Sequence, residues 1–114
     1  MKKTALRLAL AAAVAALVPA VSHAAVDAAK AQEIANKNAC LGCHSVDKKL
    51  VGPAYKDVAA KYKGKADALA SLSKKVKAGG SGVWGSIPMP PNANVSDADI
   101  KTVVEWILAG APAK

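Results

Sequence analysis

Polar and apolar residues fall into distinct blocks along this chain. Met1 to Arg7 carries Lys2, Lys3 and Arg7, and an unbroken apolar run of 11 residues follows from Leu8 to Val18. Pro19 ends the run, and Ser22-His23-Ala24 sets small residues at the two positions a signal peptidase reads. That order is the charged, apolar and cleavage regions of a secretory signal peptide. The uncharged stretch from Leu8 to Ser22 is 15 residues, too short to span a bilayer as a helix. Residues 1–24 therefore read as a leader cleaved after Ala24, with Ala25 as the second choice, and 25–114 as one exported domain. The expected location is the periplasm, with no membrane anchor.

Four helical segments and no strands are predicted beyond the leader. Residues 27–39 are rich in Ala and polar groups, with Asp27 placed to cap the start and Ala31, Ile34, Ala35 and Asn38 on one face. Pro53 is expected in the first turn of a second helix. In that helix Tyr55, Val58, Ala59 and Tyr62 follow i, i+3, i+4, i+7 spacing until Gly64. A third segment starts near Asp67, presents Leu69, Leu72 and Val76, and stops at Gly79-Gly80. Residues 79–95 hold too much Gly and Pro for regular structure. Ser96-Asp97-Ala98-Asp99 has capping-box spacing with Asp in place of Glu. It opens a helix striped by Ile100, Val103, Val104, Ile107 and Leu108 and closed by Gly110.

Composition changes this picture in one respect. Removing the leader from the 114-residue chain leaves 90 residues with 13 Lys, 8 acids and a net charge of +5. Of the hydrophobic residues that remain, 18 are Ala and only 25 are larger. A domain of this size buries a poor share of its surface and usually needs a staple such as a metal, a disulfide or a cofactor. The remaining chain has one His, one Met and two Cys, namely His44, Met89, Cys40 and Cys43.

Three of those four stand together in Cys40-Leu41-Gly42-Cys43-His44. C-x-x-C-H is the attachment pattern for c-type haem. Two thiols one turn apart add to the two porphyrin vinyl groups, and the His that follows is forced under the iron as its proximal ligand. A covalent haem also supplies the large flat apolar body that so few sizeable side chains leave wanting. Other readings of the pair compete. A redox dithiol needs a βαβ setting, a zinc site needs a fourth ligand, and a Cys40–Cys43 disulfide closes too short a loop to constrain the chain much. Met89 lies in Ile87-Pro88-Met89-Pro90-Pro91, where prolines stiffen the backbone and fix the direction of the side chain. A packing Met needs no such mounting, whereas a sixth iron ligand does.

Beyond these residues, Val51-Gly52-Pro53-Ala54-Tyr55, Gly82-Val83-Trp84-Gly85, Ile87-Pro88-Met89-Pro90-Pro91-Asn92 and Glu105-Trp106-Ile107-Leu108 complete a pattern over residues 27–110. The chain resembles the small bacterial class I cytochromes c, in particular the cytochrome c-551/c-552 group. The resemblance implies an all-α, small class I cytochrome c fold, with about four helices wrapped around one covalently bound haem c. It implies thioethers at Cys40 and Cys43 and axial ligation by His44 and Met89. It also implies a Pro53 carbonyl that accepts from the His44 Nδ1 and a Trp84 indole that donates to a haem propionate. By the same resemblance Lys75 falls where relatives often carry Arg near the propionates, and Asn92 would steady the Met89 loop, with simple turn formation as its other reading. Two departures stand out. Relatives usually carry an aromatic where Ala35 stands, and Asn92-Ala93-Asn94-Val95 looks one residue longer than in some relatives.

The implied activity is single-electron transport and not catalysis. Iron with two protein ligands offers substrate no open position, and the sequence holds no second titratable constellation. The competing functional reading is a haem enzyme or small-ligand sensor in which Met89 is displaced. The positive charge, with nine lysines between Lys48 and Lys77, suits acidic docking surfaces on redox partners. Those partners would be a membrane cytochrome complex, a terminal oxidase, a nitrite reductase or a peroxidase. Nucleic acid is not expected as a partner of an exported chain that lacks Arg and stacking aromatics in its part beyond the leader, and the expected state is a monomer.

Overall fold

The computed structural model describes residues 26–114; the leader expected at 1–24 and its cleavage site lie outside them. Four α-helices follow one another: α1 (Ala28–Lys37), α2 (Tyr55–Tyr62), α3 (Ala68–Ala78) and α4 (Asp97–Leu108). A 3₁₀ turn, Cys40–Gly42, follows α1. Among the described residues no strand forms; one isolated antiparallel bridge joins Gly80 to Met89. The all-α expectation therefore holds.

Local chemistry sets most of the boundaries. The Asp27 carboxylate accepts from the Lys30 N–H at 3.0 Å and caps α1. At the other end Asn38 turns back, and both its backbone N–H and its side-chain amide donate to the Ile34 carbonyl. Ser96 caps α4 by accepting from the Asp99 N–H at 3.1 Å, and the acids Asp97 and Asp99 suit the positive end of that helix.

The start of α2 corrects the sequence expectation. Ala54 is the N-cap, without a side-chain bond, and Pro53 precedes it. The reason is non-local. Two first-turn amides of α2, those of Tyr55 and Lys56, donate to the carbonyls of Ser45 and Val46 at 2.9 and 3.1 Å. The segment after Cys43 thus satisfies groups that a capping side chain would otherwise take. Pro53, one step outside, keeps its carbonyl free for another partner.

Helix α4 is the central element, packed against α1, α2 and α3. The core joins Ala28, Ala31 and Ile34 of α1, Tyr55 and Val58 of α2, and Val103, Trp106 and Ile107 of α4, closed by Ala111. Trp106, 1% exposed, replaces Leu108 as the chief apolar contribution from the end of α4. Its indole Nε1 donates to the Pro112 carbonyl at 2.8 Å, which satisfies a buried donor and ties down the tail. Ala35 is fully buried, so the missing aromatic leaves a small residue at a core position beside Ile34. The stripe of α3 behaves differently: Leu69, Leu72 and Val76 are only half-buried. Two of them, Leu72 and Val76, face a large cleft.

Candidate functional site: the cleft between the CxxCH turn and the methionine loop

The cleft has a volume of about 530 Å³, within the ~300–1,000 Å³ range of cofactor and ligand sites. Its lining comes from four parts of the chain. Cys40, Cys43 and His44 contribute with Lys49–Pro53; α3 contributes Leu72, Lys75 and Val76; the loop Gly80–Pro90 contributes Trp84 and Met89; and α4 contributes Val103, Val104 and Ile107. Seven of the eight site residues expected from sequence line this space, and Pro53 also engages His44. Asn92 is the exception.

The two thiols are free and half-buried. The 3₁₀ turn sets their spacing, because the amides of Cys43 and His44 both donate to the Cys40 carbonyl, at 3.2 and 3.0 Å. Burial pushes the Cys40 thiol above its ordinary pKa. The His44 Nδ1 lies 2.8 Å from the Pro53 carbonyl oxygen. A carbonyl can only accept, so Nδ1 carries the proton and Nε2 keeps its lone pair. The imidazole stacks on Tyr55 at 5.0 Å with planes 22° apart. Tyr55 in turn meets the edge of Trp106 at 5.6 Å and 77°. Burial raises the Tyr55 hydroxyl well above the usual phenol range.

Met89 is held from behind. It exchanges two backbone bonds with Gly80, each 2.9 Å. Asn92 does not line the cleft; its amide groups donate to the carbonyls of Val76 at 3.1 Å and Pro90 at 3.4 Å. Trp84 stands 39% exposed on the lining, with the Lys61 Nζ over its ring at 5.3 Å. Lys75 also faces the cleft.

Sequence reasoning missed Gly52 and Tyr55 as parts of this site. A Cβ on Gly52 would run into the His44 ring, 2.8 Å from Nδ1 and 3.0 Å from Nε2. The signal was present in the Gly52-Pro53 pair, since a Gly beside the residue that fixes His44 marks a close backbone approach.

The cleft suits a flat apolar ligand with covalent and coordinating anchors. Among the described residues five large hydrophobics are exposed: Leu50, Val51, Val83, Trp84 and Ile87. All five line this one cleft. An apolar patch concentrated in a concavity marks a binding site, and here it surrounds two thiols, an imidazole and a thioether. Among the described residues no three His, Cys, Asp or Glu side chains cluster in a way that would hold a bare metal ion.

A sequence model of the family Cytochrome c matches residues 28–111. The chain belongs to the cytochrome c family. Cytochrome c-552 of Nitrosomonas europaea is 60% identical over 76 residues, covering 67% of this chain and 74% of that protein. Cytochrome c-551 of Allochromatium vinosum is 61% identical over 75 residues, covering 66% and 80%. The crystal structure of the Nitrosomonas europaea cytochrome c552 superposes with a TM-score of 0.66 at 59% identity, over 68% of this chain and 96% of that one. The class 1 cytochrome MtoD from Sideroxydans lithotrophicus superposes with a TM-score of 0.65 at 40% identity, over 77% and 100%. The chain is thus a bacterial class I c-type cytochrome, and its cofactor is covalently bound haem c.

Proposed function

We propose that this protein is a periplasmic single-electron carrier. In this reading residues 1–24 export the chain, Cys40 and Cys43 would hold the haem as thioethers, and His44 and Met89 would ligate its iron. The observation that carries the reading is the convergence of Cys40, Cys43, His44 and Met89 on one cleft whose lining also gathers every exposed large hydrophobic of the described residues. Haem iron, alternating between the ferrous and ferric states, supplies a reversible one-electron couple.

The chain's own residues adapt that couple to transport. Donation from the His44 Nδ1 to Pro53 orients the ring and leaves Nε2 as the ligating atom. Thioether sulfur from Met89 is soft and favours the ferrous state. With His44 and Met89 both ligating the iron, no position would be left for substrate or oxygen, which separates this reading from an enzyme or sensor with a displaceable Met89. Leu72, Val76, Val103, Val104 and Ile107 line the cleft with apolar surface. Around a bound haem this surface would exclude water and disfavour the extra charge of ferric iron. Trp84 and Lys75 on the lining are the candidates to meet the propionates. Lys49 and Lys75 line the cleft and Lys61 stands over Trp84, and their field would steer the protein to acidic faces on redox partners.

Two measurements test the proposal. The intact mass of the exported protein should equal residues 25–114 plus one haem; an unmodified mass would exclude covalent attachment at Cys40 and Cys43. The rate of electron transfer to an acidic redox partner should fall steeply with added salt. A rate indifferent to salt would reject lysine-guided docking.

A further inference from the structure

The Met89 loop and the end of α3 form one backbone unit. A helix leaves its last carbonyls without partners, and here the loop supplies them. The Asn92 N–H donates to the carbonyls of Val76 and Lys77, each at 3.2 Å, and its side-chain amide adds a bond to Val76 at 3.1 Å. The Lys77 Nζ reaches the Val95 carbonyl at 2.6 Å. These bonds, with the Gly80–Met89 pair, fix the loop sideways. They also draw the loop toward the helix end, and how near the Met89–Pro91 backbone can come is limited by what stands at residue 79.

Gly79 sets that approach. It ends α3 at φ 68° and ψ −158°, with its N–H donating to the Lys75 carbonyl, in a region that essentially only glycine adopts. A Cβ built there would strike the Met89 carbonyl oxygen and stand 2.8 Å from the Pro91 nitrogen and 2.9 Å from the Pro90 carbonyl carbon. All three are backbone atoms of a proline-stiffened segment, so none can swing aside. Gly80 differs, since a Cβ there would meet only the tip of the flexible Lys75 chain at 3.1 Å. Gly64 has a positive φ of 77° as well but nothing within 4 Å.

We propose that Gly79 is the positioning residue for Met89, the bare backbone seat on which the Met89–Pro91 segment rests. The inference builds on the assignment of Met89 as an axial ligand. Ordinary contact begins at 3.4 Å, so a methyl group at Gly79 drives the loop back by about 0.6 Å at Pro91 and further at Met89. A coordinating constellation tolerates displacements of roughly 0.5 Å, so the iron–sulfur contact should suffer before the fold does.

The test compares the haem-loaded wild type with Gly79→Ala and Gly64→Ala. The readouts are the far-red ferric band of iron–thioether ligation, the reduction potential, and amide exchange at Met89 and Gly80. Gly79→Ala should lose most of the band, lower the potential and speed exchange at both amides. Gly64→Ala bears positive-φ strain without touching the loop and should leave all three unchanged. A wild-type band together with an unmoved Gly79→Ala variant overturns the role of Gly79 alone, as does an equal shift in both variants. A wild type without the band overturns the ligand assignment itself. Should Gly79→Ala not fold, mild denaturation of the wild type decides. Band loss and exposure of the Gly79 and Gly80 amides should then coincide, and band loss with those amides still protected overturns the proposal.

Discussion

Gly52→Ala isolates one steric contact at the haem ligand. The φ of Gly52 lies outside the left-handed region, so alanine brings no backbone penalty and only the space decides. The new methyl would stand 2.8 Å from the His44 Nδ1 and 3.0 Å from Nε2, against an ordinary contact distance of 3.4 Å. The ring cannot yield easily. Tyr55 stacks on it at 5.0 Å, Trp106 backs Tyr55 at 5.6 Å, and Trp106 is 1% exposed. Overpacking of this kind costs ~1–3 kcal/mol. Any ring movement that breaks the bond to Pro53 adds about 1 kcal/mol. A total near 3 kcal/mol lowers the melting temperature by on the order of 15 °C for a domain this small. The assay is thermal unfolding of the haem-loaded protein with a parallel redox titration. Gly42→Ala serves as control, since a Cβ there meets nothing within 4 Å. Wild-type melting and potential in Gly52→Ala would refute the steric argument, and so would equal losses in the two variants.

Other expectations follow from single features. Ala39 holds a left-handed φ of 58° directly before Cys40 and is exposed. Ala39→Gly should therefore stabilise the protein by about 1 kcal/mol, read as a higher denaturant midpoint with an unchanged slope. Trp106→Phe removes the 2.8 Å bond to Pro112 and one edge of the contact with Tyr55. A loss of about 2 kcal/mol is expected by chemical denaturation, with faster amide exchange at Gly110, Ala111 and Ala113.

Local signals made much of this protein legible in its sequence, and long-range contacts account for most of what was not. The α4 stripe and the Ser96 cap depend on neighbours three and four residues away, so their pattern is visible in the chain. The Cys40-to-His44 motif is equally local, and the prolines around Met89 announce a fixed loop. The start of α2 was misplaced because its amides bond to Ser45 and Val46, a partnership that no capping residue signals. Asn92 reads as a turn residue, yet its partners are the carbonyls that end α3. Gly52 beside Pro53 hints at a close approach without naming its partner, and Gly79 looks like an ordinary helix stop. Their constraint is a close approach in space, by an imidazole in one case and a proline-rich backbone in the other. The half-burial of Leu72 and Val76 likewise makes sense only once the cleft is seen.

The central claim is that His44 and Met89 together hold the iron of a covalent haem. Spectra and redox titration of the ferric wild type beside Met89→Ala test it most directly. The wild type should show the far-red iron–thioether band. Met89→Ala should lack that band, bind carbon monoxide readily when reduced, and titrate at a lower potential. A Met89→Ala variant that keeps both the band and the wild-type potential would contradict the account.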